Sequence, residues 1–315
     1  MSSDLAAPLP GLILAASLGL NAGLAVLARR VGWCDPVGIP LKTHRQPVPL
    51  TGGIALLSVL AAVCGIIGRG KLWYILAGVA ALIAGLFDDI YWKRRSPSAA
   101  THVFPKLALQ TCAALAAIFS ARINGIRLAF PLPAVAAFML VAMNAFNLED
   151  GMDGLCAGEA ALSCLGFAVV FYRSGYLTDS LIALLLSIAL AGFVLLNWHP
   201  AEVFLGDSGS HMLGMLIACF GLTTMMRPPA VVSHSVSLRL AAGTVLLTGM
   251  PLPGLIFVIV RRLLRRRHMF AGDREHLYDI LHQHGIPVPQ VTLLLLVIQS
   301  FSVIAGILLL GGSSG

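Results

Sequence analysis

Long apolar segments alternate with short polar loops along the whole chain. Most of these segments approach the roughly 20 residues that an α-helix needs to cross about 30 Å of hydrocarbon. Uniformly apolar runs of this length indicate helices, because membrane strands would show short alternating patterns instead. We predict ten transmembrane helices, at 8–28, 51–68, 72–88, 104–121, 131–147, 155–172, 178–196, 209–226, 238–260 and 291–311. The expected fold is all-α, a polytopic transmembrane helical bundle that forms a single integral-membrane domain over residues 1–315.

Composition and charge support this membrane topology. Hydrophobic residues make up 58% of the chain and charged residues 11%, whereas a soluble domain has about 25% charged residues. Of the 21 Lys and Arg residues, 14 lie in odd-numbered loops, counted from the N-terminus between the apolar segments. By the positive-inside rule these loops are cytoplasmic and both termini are periplasmic. No Lys/Arg-rich stretch is interleaved with aromatic residues, so the sequence does not favour nucleic-acid binding.

Residues with candidate chemistry are concentrated in the same odd-numbered loops. A chain that crosses a bilayer changes sides at each crossing, so loops of one parity share a face. We therefore expect one site on the cytoplasmic face. Its candidate residues are Lys42 and Arg45 in loop one, Asp88, Asp89 and Lys106 in loop three, Asn144, Asn147, Asp150 and Asp153 in loop five, Phe204 and Asp207 in loop seven, and Arg274 and His276 in loop nine.

The adjacent acids Asp88 and Asp89 follow an apolar helix, with no basic residue before Lys93. Two neighbouring carboxylates repel each other unless a cation or a proton lies between them. The alternative is that they solvate the end of the helix at the membrane interface.

Amide and acid side chains recur every three residues in loop five. Asn144 and Asn147 are neighbours on a helix face, and we expect the helix to break near Gly151 so that Asp150 and Asp153 curl back over that face. Carboxylate and amide oxygens suit Mg²⁺ or Mn²⁺, with phosphate oxygens and water as the remaining ligands. A polar loop without a ligand is the alternative.

The segment Phe204-Leu-Gly-Asp207-Ser208-Gly leads directly into an apolar helix. We expect Asp207 or Ser208 to cap that helix. A helix N-terminus also attracts phosphate, so Asp207 could hold a cation against a diphosphate. The ring of Phe204 could stack on a nucleobase or simply contact lipid or core.

These motifs occur together in one known family. They are Asp35-Pro36, Lys42-Thr-His44 and Pro47 to Gly53, then Gly85-Leu-Phe-Asp88-Asp89 and Lys106-Leu, then Asn144 to Leu155, Phe204 to Gly209, and Asp273-Arg-Glu-His276-Leu. In this order they resemble the polyprenyl-phosphate N-acetylhexosamine-1-phosphate transferases, which include undecaprenyl-phosphate GlcNAc-1-phosphate transferase and, more distantly, the phospho-N-acetylmuramoyl-pentapeptide translocase. The resemblance covers residues from about 35 to 285.

The resemblance implies a multi-pass enzyme of the bacterial inner membrane. Undecaprenyl phosphate would attack the β-phosphorus of a UDP-N-acetylhexosamine and release UMP, which starts a lipid-linked surface polysaccharide or another cell-envelope glycan. The last motif reads His276-Leu-Tyr278-Asp279, similar to members that start O-antigen-like polymers. The His-x-His-His form of other members is absent from this motif, so their sugar preference does not carry over.

The same resemblance implies a role for each candidate residue. Mg²⁺, or Mn²⁺, would bind at Asn147 and Asp207. Asp88 and Asp89 would deprotonate or orient the lipid phosphate, and His276 is the third catalytic candidate. The substrate-binding candidates are Lys42, Arg45, Lys106, Asn144, Asp150, Asp153, Phe204 and Arg274.

Some features keep other interpretations open. The arginine run from Arg261 to Arg267 is expected to anchor topology and contact anionic headgroups, and histidines such as His199 receive no role. A secondary transporter is the alternative function, because it also needs intramembrane polar groups and broken helices. Transporters of that kind usually show two related halves with a site near the midplane, whereas these acids lie at helix ends. A homodimer is compatible with the sequence.

Overall fold

Helices account for nearly all secondary structure in the described part of the chain. The computed structural model describes residues 8–37, 46–67, 71–92, 103–126, 130–225, 234–266 and 275–311. Its helices are α1 (Leu9–Val31), α2 (Gly52–Ile67), α3 (Leu72–Phe87), α4 (Val103–Ile123), α5 (Leu132–Glu149), α6 (Leu155–Arg173), α7 (Leu177–Asn197), α8 (Gly206–Thr224), α9 (His234–Thr248), α10 (Pro251–Leu264), α11 (Leu277–Gln283) and α12 (Val288–Gly311). A π-helical turn, Asp88–Trp92, extends α3. The prediction of an all-α fold is confirmed.

The predicted ten membrane crossings are confirmed only in part. Among the described residues, seven helices are long and apolar enough to cross a membrane, and eight if a bent pair counts as one span. The seven are α1, α3, α4, α5, α6, α7 and α12. Helix α2 is apolar but has only 16 residues. The chain is therefore a multi-pass helical membrane protein with at least seven candidate spans in its described part.

Helix α8 lies at the centre of the bundle, and its composition reflects that position. It packs against α2, α3, α5 and α6, and every residue of α8 except Asp207 is buried. Its first turns contain polar residues and glycines, which would be unfavourable against lipid. Because neighbouring helices surround it, α8 does not need an apolar outer surface. Small residues instead allow the backbones to approach closely, as is common in membrane helix packing.

The prediction of one continuous helix at 238–260 is wrong. Helix α9 ends at Thr248, α10 begins at Pro251, and the two helices are bent by 85°. Gly249 has a φ of 75°, which favours glycine, and the following prolines cannot continue the α9 hydrogen-bond pattern. The side chain of Gln299 in α12 fills the break, because its Oε1 accepts a hydrogen bond from Met250 N at 2.7 Å.

Backbone contacts connect the first and seventh loops. A short antiparallel ribbon pairs β1 (Cys34–Asp35) with β2 (Val48–Pro49). Beyond the ribbon, Phe204 N donates to Pro49 O at 2.8 Å and Gly52 N donates to Phe204 O at 3.1 Å. The chain that enters α2 is thus fixed to the chain that enters α8. These two odd-numbered loops lie at the same end of the bundle, as loop parity requires.

Candidate active site

Lys106 connects three of the predicted site residues. Its Nζ lies 2.5 Å from Asp88 Oδ2, 3.3 Å from Asn147 Oδ1 and 3.6 Å from Asp207 Oδ2. These four residues come from α4, the end of α3, α5 and α8, so four helices converge on one point. The side chains of Lys106, Asp88 and Asp207 are 22%, 14% and 15% exposed. The cluster is therefore largely enclosed but accessible from one side.

Asn147 is held in a fixed orientation by α8. Its Nδ2 donates to Ser210 Oγ at 3.0 Å, which leaves Oδ1 facing Lys106. Ser210 in turn donates to Gly206 O and Asp207 O. Asn147 and Asp207, the two residues predicted to bind metal, are thus brought together at the first turn of α8.

Asn144 lies one turn further from the end of α5 and makes different contacts. Its Nδ2 donates to Gln110 Oε1 at 2.9 Å and to Leu140 O at 2.8 Å, and its Oδ1 accepts from Gln110 Nε2 at 3.3 Å. The amide pair joins α5 to α4. These contacts use the Asn144 amide for helix packing, so its predicted role in substrate binding has no support from the geometry.

Asp89 points in a different direction from Asp88. Its Oδ1 accepts from Asp207 N at 3.1 Å and its Oδ2 accepts from Ser208 N at 3.0 Å. Asp89 is 6% exposed. The expectation that Asp207 or Ser208 caps α8 is wrong, because the N-cap position is Leu205 and neither side chain makes a capping bond. The carboxylate that satisfies these amides comes from α3 instead.

Loop five breaks where the sequence predicts. Helix α5 ends at Glu149, and Gly154 precedes α6 with a φ of 75°. The Oδ2 of Asp153 lies 2.7 Å from His199 Nδ1 and accepts from Ala201 N at 3.2 Å. Asp153 is therefore bonded to the loop before α8, and its expected place over the face of Asn144 and Asn147 stays a prediction. Asp150 is the half-buried C-cap residue of α5.

His199 is a residue that sequence reasoning missed. Its ring bonds to Asp153 although the two residues are 46 positions apart. A single histidine in a loop carries no local pattern that distinguishes it from a solvated residue. Only the tertiary contact shows that it orients one of the motif acids.

The last motif packs against loop five through Tyr278. The Tyr278 hydroxyl donates to Leu148 O at 2.9 Å, and the His276 ring stacks on the Tyr278 ring with centroids 5.0 Å apart. Burial, together with the nearby acids, raises the pKa of Tyr278 well above its usual value, so the hydroxyl remains a donor. His276 is 8% exposed at the start of α11. Its predicted catalytic role stays a prediction.

Arg261 in α10 and Arg265, the C-cap residue of α10, bind the residue before His276. Arg261 Nε lies 3.2 Å from Glu275 Oε2, and Arg265 also forms an ion pair with Glu275. The expectation that the arginine run serves topology and headgroup contact is therefore incomplete. These two members also fix the last motif to α10. Arg267 lies outside the described residues.

Four predicted site residues remain, one in loop seven and three in loops one and nine. Phe204 is half-buried, and its backbone joins loops one and seven. Lys42, Arg45 and Arg274, predicted to bind substrate, lie outside the described residues.

The donor set at Lys106 is suited to a cation. Asp88, Asn147 and Asp207 present oxygen atoms to one ammonium group. Within the described part of the chain no group of three or more His, Cys, Asp or Glu residues could hold a metal by itself. Mg²⁺ usually binds through one or two carboxylates and completes its octahedron with water and substrate phosphates. The arrangement therefore fits an ion that is only partly coordinated by protein groups better than it fits an ion enclosed by protein ligands.

Two carboxylates, an amide oxygen and a lysine thus converge at one end of a helical membrane bundle. This arrangement defines a class of membrane protein with a polar site for ions or phosphates. Comparison with known sequences makes this class specific. The sequence model described as Glycosyl transferase family 4 matches residues 72–225, which include Asp88, Lys106, Asn147 and Asp207. Over this segment the chain is similar to that family.

Similar curated proteins extend the match beyond this segment. A probable undecaprenyl-phosphate N-acetylglucosaminyl 1-phosphate transferase of Bacillus subtilis (strain 168) is 27% identical over 254 residues, which cover 78% of this chain and 68% of the relative. An undecaprenyl-phosphate alpha-N-acetylglucosaminyl 1-phosphate transferase of Escherichia coli (strain K12) is 27% identical over 297 residues, 90% of this chain and 78% of the relative. A decaprenyl-phosphate N-acetylglucosaminephosphotransferase of Mycobacterium leprae (strain TN) is 27% identical over 306 residues, which cover 86% of this chain and 75% of the relative.

Gly85 is where α3 and α8 are closest, and its replacement should disturb the site. A Cβ at Gly85 would lie 2.3 Å from Asp207 O, which is backbone and cannot rotate away. We expect Gly85→Ala to destabilise the fold by roughly 1–3 kcal/mol, measured as a lower thermal unfolding temperature in detergent. Gly65→Ala is the matched control, because a Cβ there meets no atom within 4 Å. Equal melting temperatures for the two variants would contradict the close approach.

Proposed function

We propose that the chain transfers an N-acetylhexosamine-1-phosphate from a UDP-sugar to undecaprenyl phosphate. An oxygen of the lipid phosphate attacks the β-phosphorus, a new P–O bond forms, and the bond to the leaving UMP breaks. The observation that carries the proposal is the convergence of Asp88, Asn147 and Asp207 on Lys106. Both reactants are anions, so the site needs fixed cationic and polar groups more than covalent chemistry. The names of the curated relatives support the same reaction class.

Mg²⁺, or Mn²⁺, is the proposed cofactor, with Asn147 and Asp207 as its protein ligands. When bound, it would neutralise charge on the diphosphate and on the leaving phosphate oxygen. Ser210 keeps the Asn147 amide oxygen turned toward this position. The main chain of Asp207 is fixed by the start of α8, so its carboxylate is presented from a rigid element.

Asp88 is the group that we assign to the acceptor phosphate. Its carboxylate lies beside Lys106, which balances part of its negative charge and is itself a phosphate ligand of the right kind. A carboxylate at this position can take a proton from the lipid phosphate or orient it. The nucleotide is assigned to Asp150, Asp153 and Phe204.

The lipid tail needs an apolar surface that reaches the polar site. An apolar groove on α10 is lined by Pro253, Ile256, Phe257, Val260 and Leu264, and Arg261 and Arg265 border it. The groove offers an apolar surface for an isoprenoid, while Arg261 and Arg265 are paired with Glu275. We place the polyprenyl chain along it.

In the cell, the proposed enzyme spans the bacterial inner membrane ten times, with both termini periplasmic and its site facing the cytoplasm. Its product would start a lipid-linked surface polysaccharide. The acids lie at the ends of helices, where a soluble nucleotide sugar and a membrane lipid can meet. A transporter site near the midplane would place them differently.

A turnover assay tests the function directly. Purified protein with a panel of UDP-N-acetylhexosamines, undecaprenyl phosphate and Mg²⁺ should release UMP only when the lipid is present. Asp207→Ala should lower kcat by at least about a hundredfold, because a carboxylate ligand supplies charge and geometry that water does not replace. Glu202→Ala, an exposed acid in the same loop, should remain near wild type. Lipid-independent UMP release, or none with any donor, would refute the proposal.

A binding experiment separates the two acids that contact Lys106. Asp88→Asn should abolish turnover but still bind a UDP-sugar with Mg²⁺. The substitution removes one negative charge near the anionic nucleotide, and like charges a few ångströms apart repel by about 1 kcal/mol or more. Asp207→Asn, the same chemical change, should lose both binding and turnover. Isothermal titration of each variant measures the difference. If Asp88→Asn fails to bind while Asp207→Asn binds normally, the assignment of these acids is reversed.

The proposed topology can be tested with two exposed positions on opposite ends of the bundle. After removal of the six native cysteines, Glu202→Cys in loop seven should resist a membrane-impermeant thiol reagent on intact cells. Ser174→Cys in loop six should react. Both should react after the membrane is permeabilised. Labelling of position 202 but not 174 on intact cells would invert the proposed orientation.

A further inference from the structure

The adjacent acids Asp88 and Asp89 serve different neighbours. Helix α3 ends at Phe87 and continues as the π-helical turn Asp88–Trp92. Successive residues of a helical turn point in different directions, so these two neighbouring side chains reach different groups. Asp88 contacts Lys106, and both oxygens of Asp89 contact the backbone of α8.

Asp89 supplies the cap that α8 lacks in its own sequence. The first amides of any helix have no intrahelical partner and carry a partial positive charge. At α8 the N-cap position is the apolar Leu205, which has no side-chain acceptor. The two oxygens of the buried Asp89 carboxylate take the amides of Asp207 and Ser208 at 3.1 and 3.0 Å. One of these two amides belongs to the same residue whose carboxylate faces Lys106.

Glycines make this contact between α3 and α8 close. A Cβ at Gly85 would lie 2.3 Å from Asp207 O, and a Cβ at Gly53 would lie 2.6 Å from Gly209 Cα. The first turn of α8 is therefore held by α3 and α2 at once. Its position, and that of the Asp207 side chain, depends on these two contacts and on the Asp89 carboxylate.

We infer that Asp89 is a positioning residue that fixes Asp207 by capping α8 from α3, and that it is not the base for the acceptor phosphate. The inference rests on the proposed function in one respect, since it concerns how the Asp207 carboxylate is presented to the nucleotide and metal. It revises the expectation that both adjacent acids handle the lipid phosphate. It also means that the amides of Asp207 and Ser208 are occupied by the protein's own carboxylate, so a substrate phosphate does not use them.

Hydrogen–deuterium exchange of the metal-free protein in lipid nanodiscs tests the cap without any turnover. In the wild type, the amides of Asp207 and Ser208 should exchange at least about a hundredfold more slowly than unstructured amides, because both are hydrogen-bonded. Asp89→Asn loses the charge and one acceptor oxygen, so exchange at these amides should rise roughly fivefold or more. Asp88→Asn, the same change one residue earlier, should leave it unchanged.

A second readout distinguishes positioning from acid–base chemistry. Asp89→Asn should raise the Mg²⁺ concentration for half-maximal UMP release by at least about fivefold and recover turnover as Mg²⁺ increases, whereas Asp88→Asn should not recover. Unchanged exchange at Asp207 and Ser208 in Asp89→Asn would overturn the inference. Rapid exchange of these amides in the wild type would also overturn it, and that measurement stands even if the variant does not fold. If no sample released UMP, the proposed function would be refuted. The exchange measurement would still show whether Asp89 caps α8.

Discussion

Three carboxylates have to be kept together at one end of an apolar bundle, and the rest of the site follows from how their charge is balanced. Burial of an unpaired carboxylate is costly, and like charges a few ångströms apart repel. Asp88 and Asp207 share the ammonium group of Lys106. Asp89 is balanced by the α8 N-terminus, whose amides and dipole act as a partial positive charge. Lys106 belongs to α4, and the amides belong to the start of α8. The acids that form the site therefore also join these two helices.

The central position of α8 holds these charged groups in fixed positions. Its small residues fit closely against neighbouring backbones, as at Gly214, where a Cβ would lie 2.5 Å from Ala142 O in α5. A displacement of α8 would disturb Asn147, which is bonded to Ser210, as well as Asp207. Sites built on packed helices hold their groups more precisely than sites built on loops. The polar first turns of α8 fit its central place, and α8 is absent from the seven helices that are apolar enough to count as candidate spans, although the sequence predicted a span at 209–226.

Local patterns and the family resemblance indicated the candidate residues, but contacts between distant segments decided their partners. Spacing and order identified Asp88, Lys106, Asn147 and Asp207, and the glycines after α5 indicated where that helix ends. The pairing of Asn144 with Gln110, of Asp153 with His199 and of Asp89 with the α8 amides joins segments 34 to 119 residues apart. No pattern within one segment contains that information. The bend after Thr248 is different, because Gly249, Pro251 and Pro253 signalled it locally and the continuous apolar character of 238–260 obscured it.

The charge at the cluster is the physical reason why the proposal includes a metal cation. With Asp89 satisfied by backbone amides, the other charged groups of the cluster are Asp88, Asp207 and Lys106, so that two acids share one ammonium group. A UDP-sugar and a lipid phosphate each add further negative charge, and Lys106 cannot balance all of them. A divalent cation held by Asp207 and Asn147 would make the cluster positive before the acceptor arrives. Because Lys106 already contacts both ligands, it would have to share their oxygen atoms with that ion and turn toward the phosphates, which is the position from which a lysine binds a phosphate as a point charge.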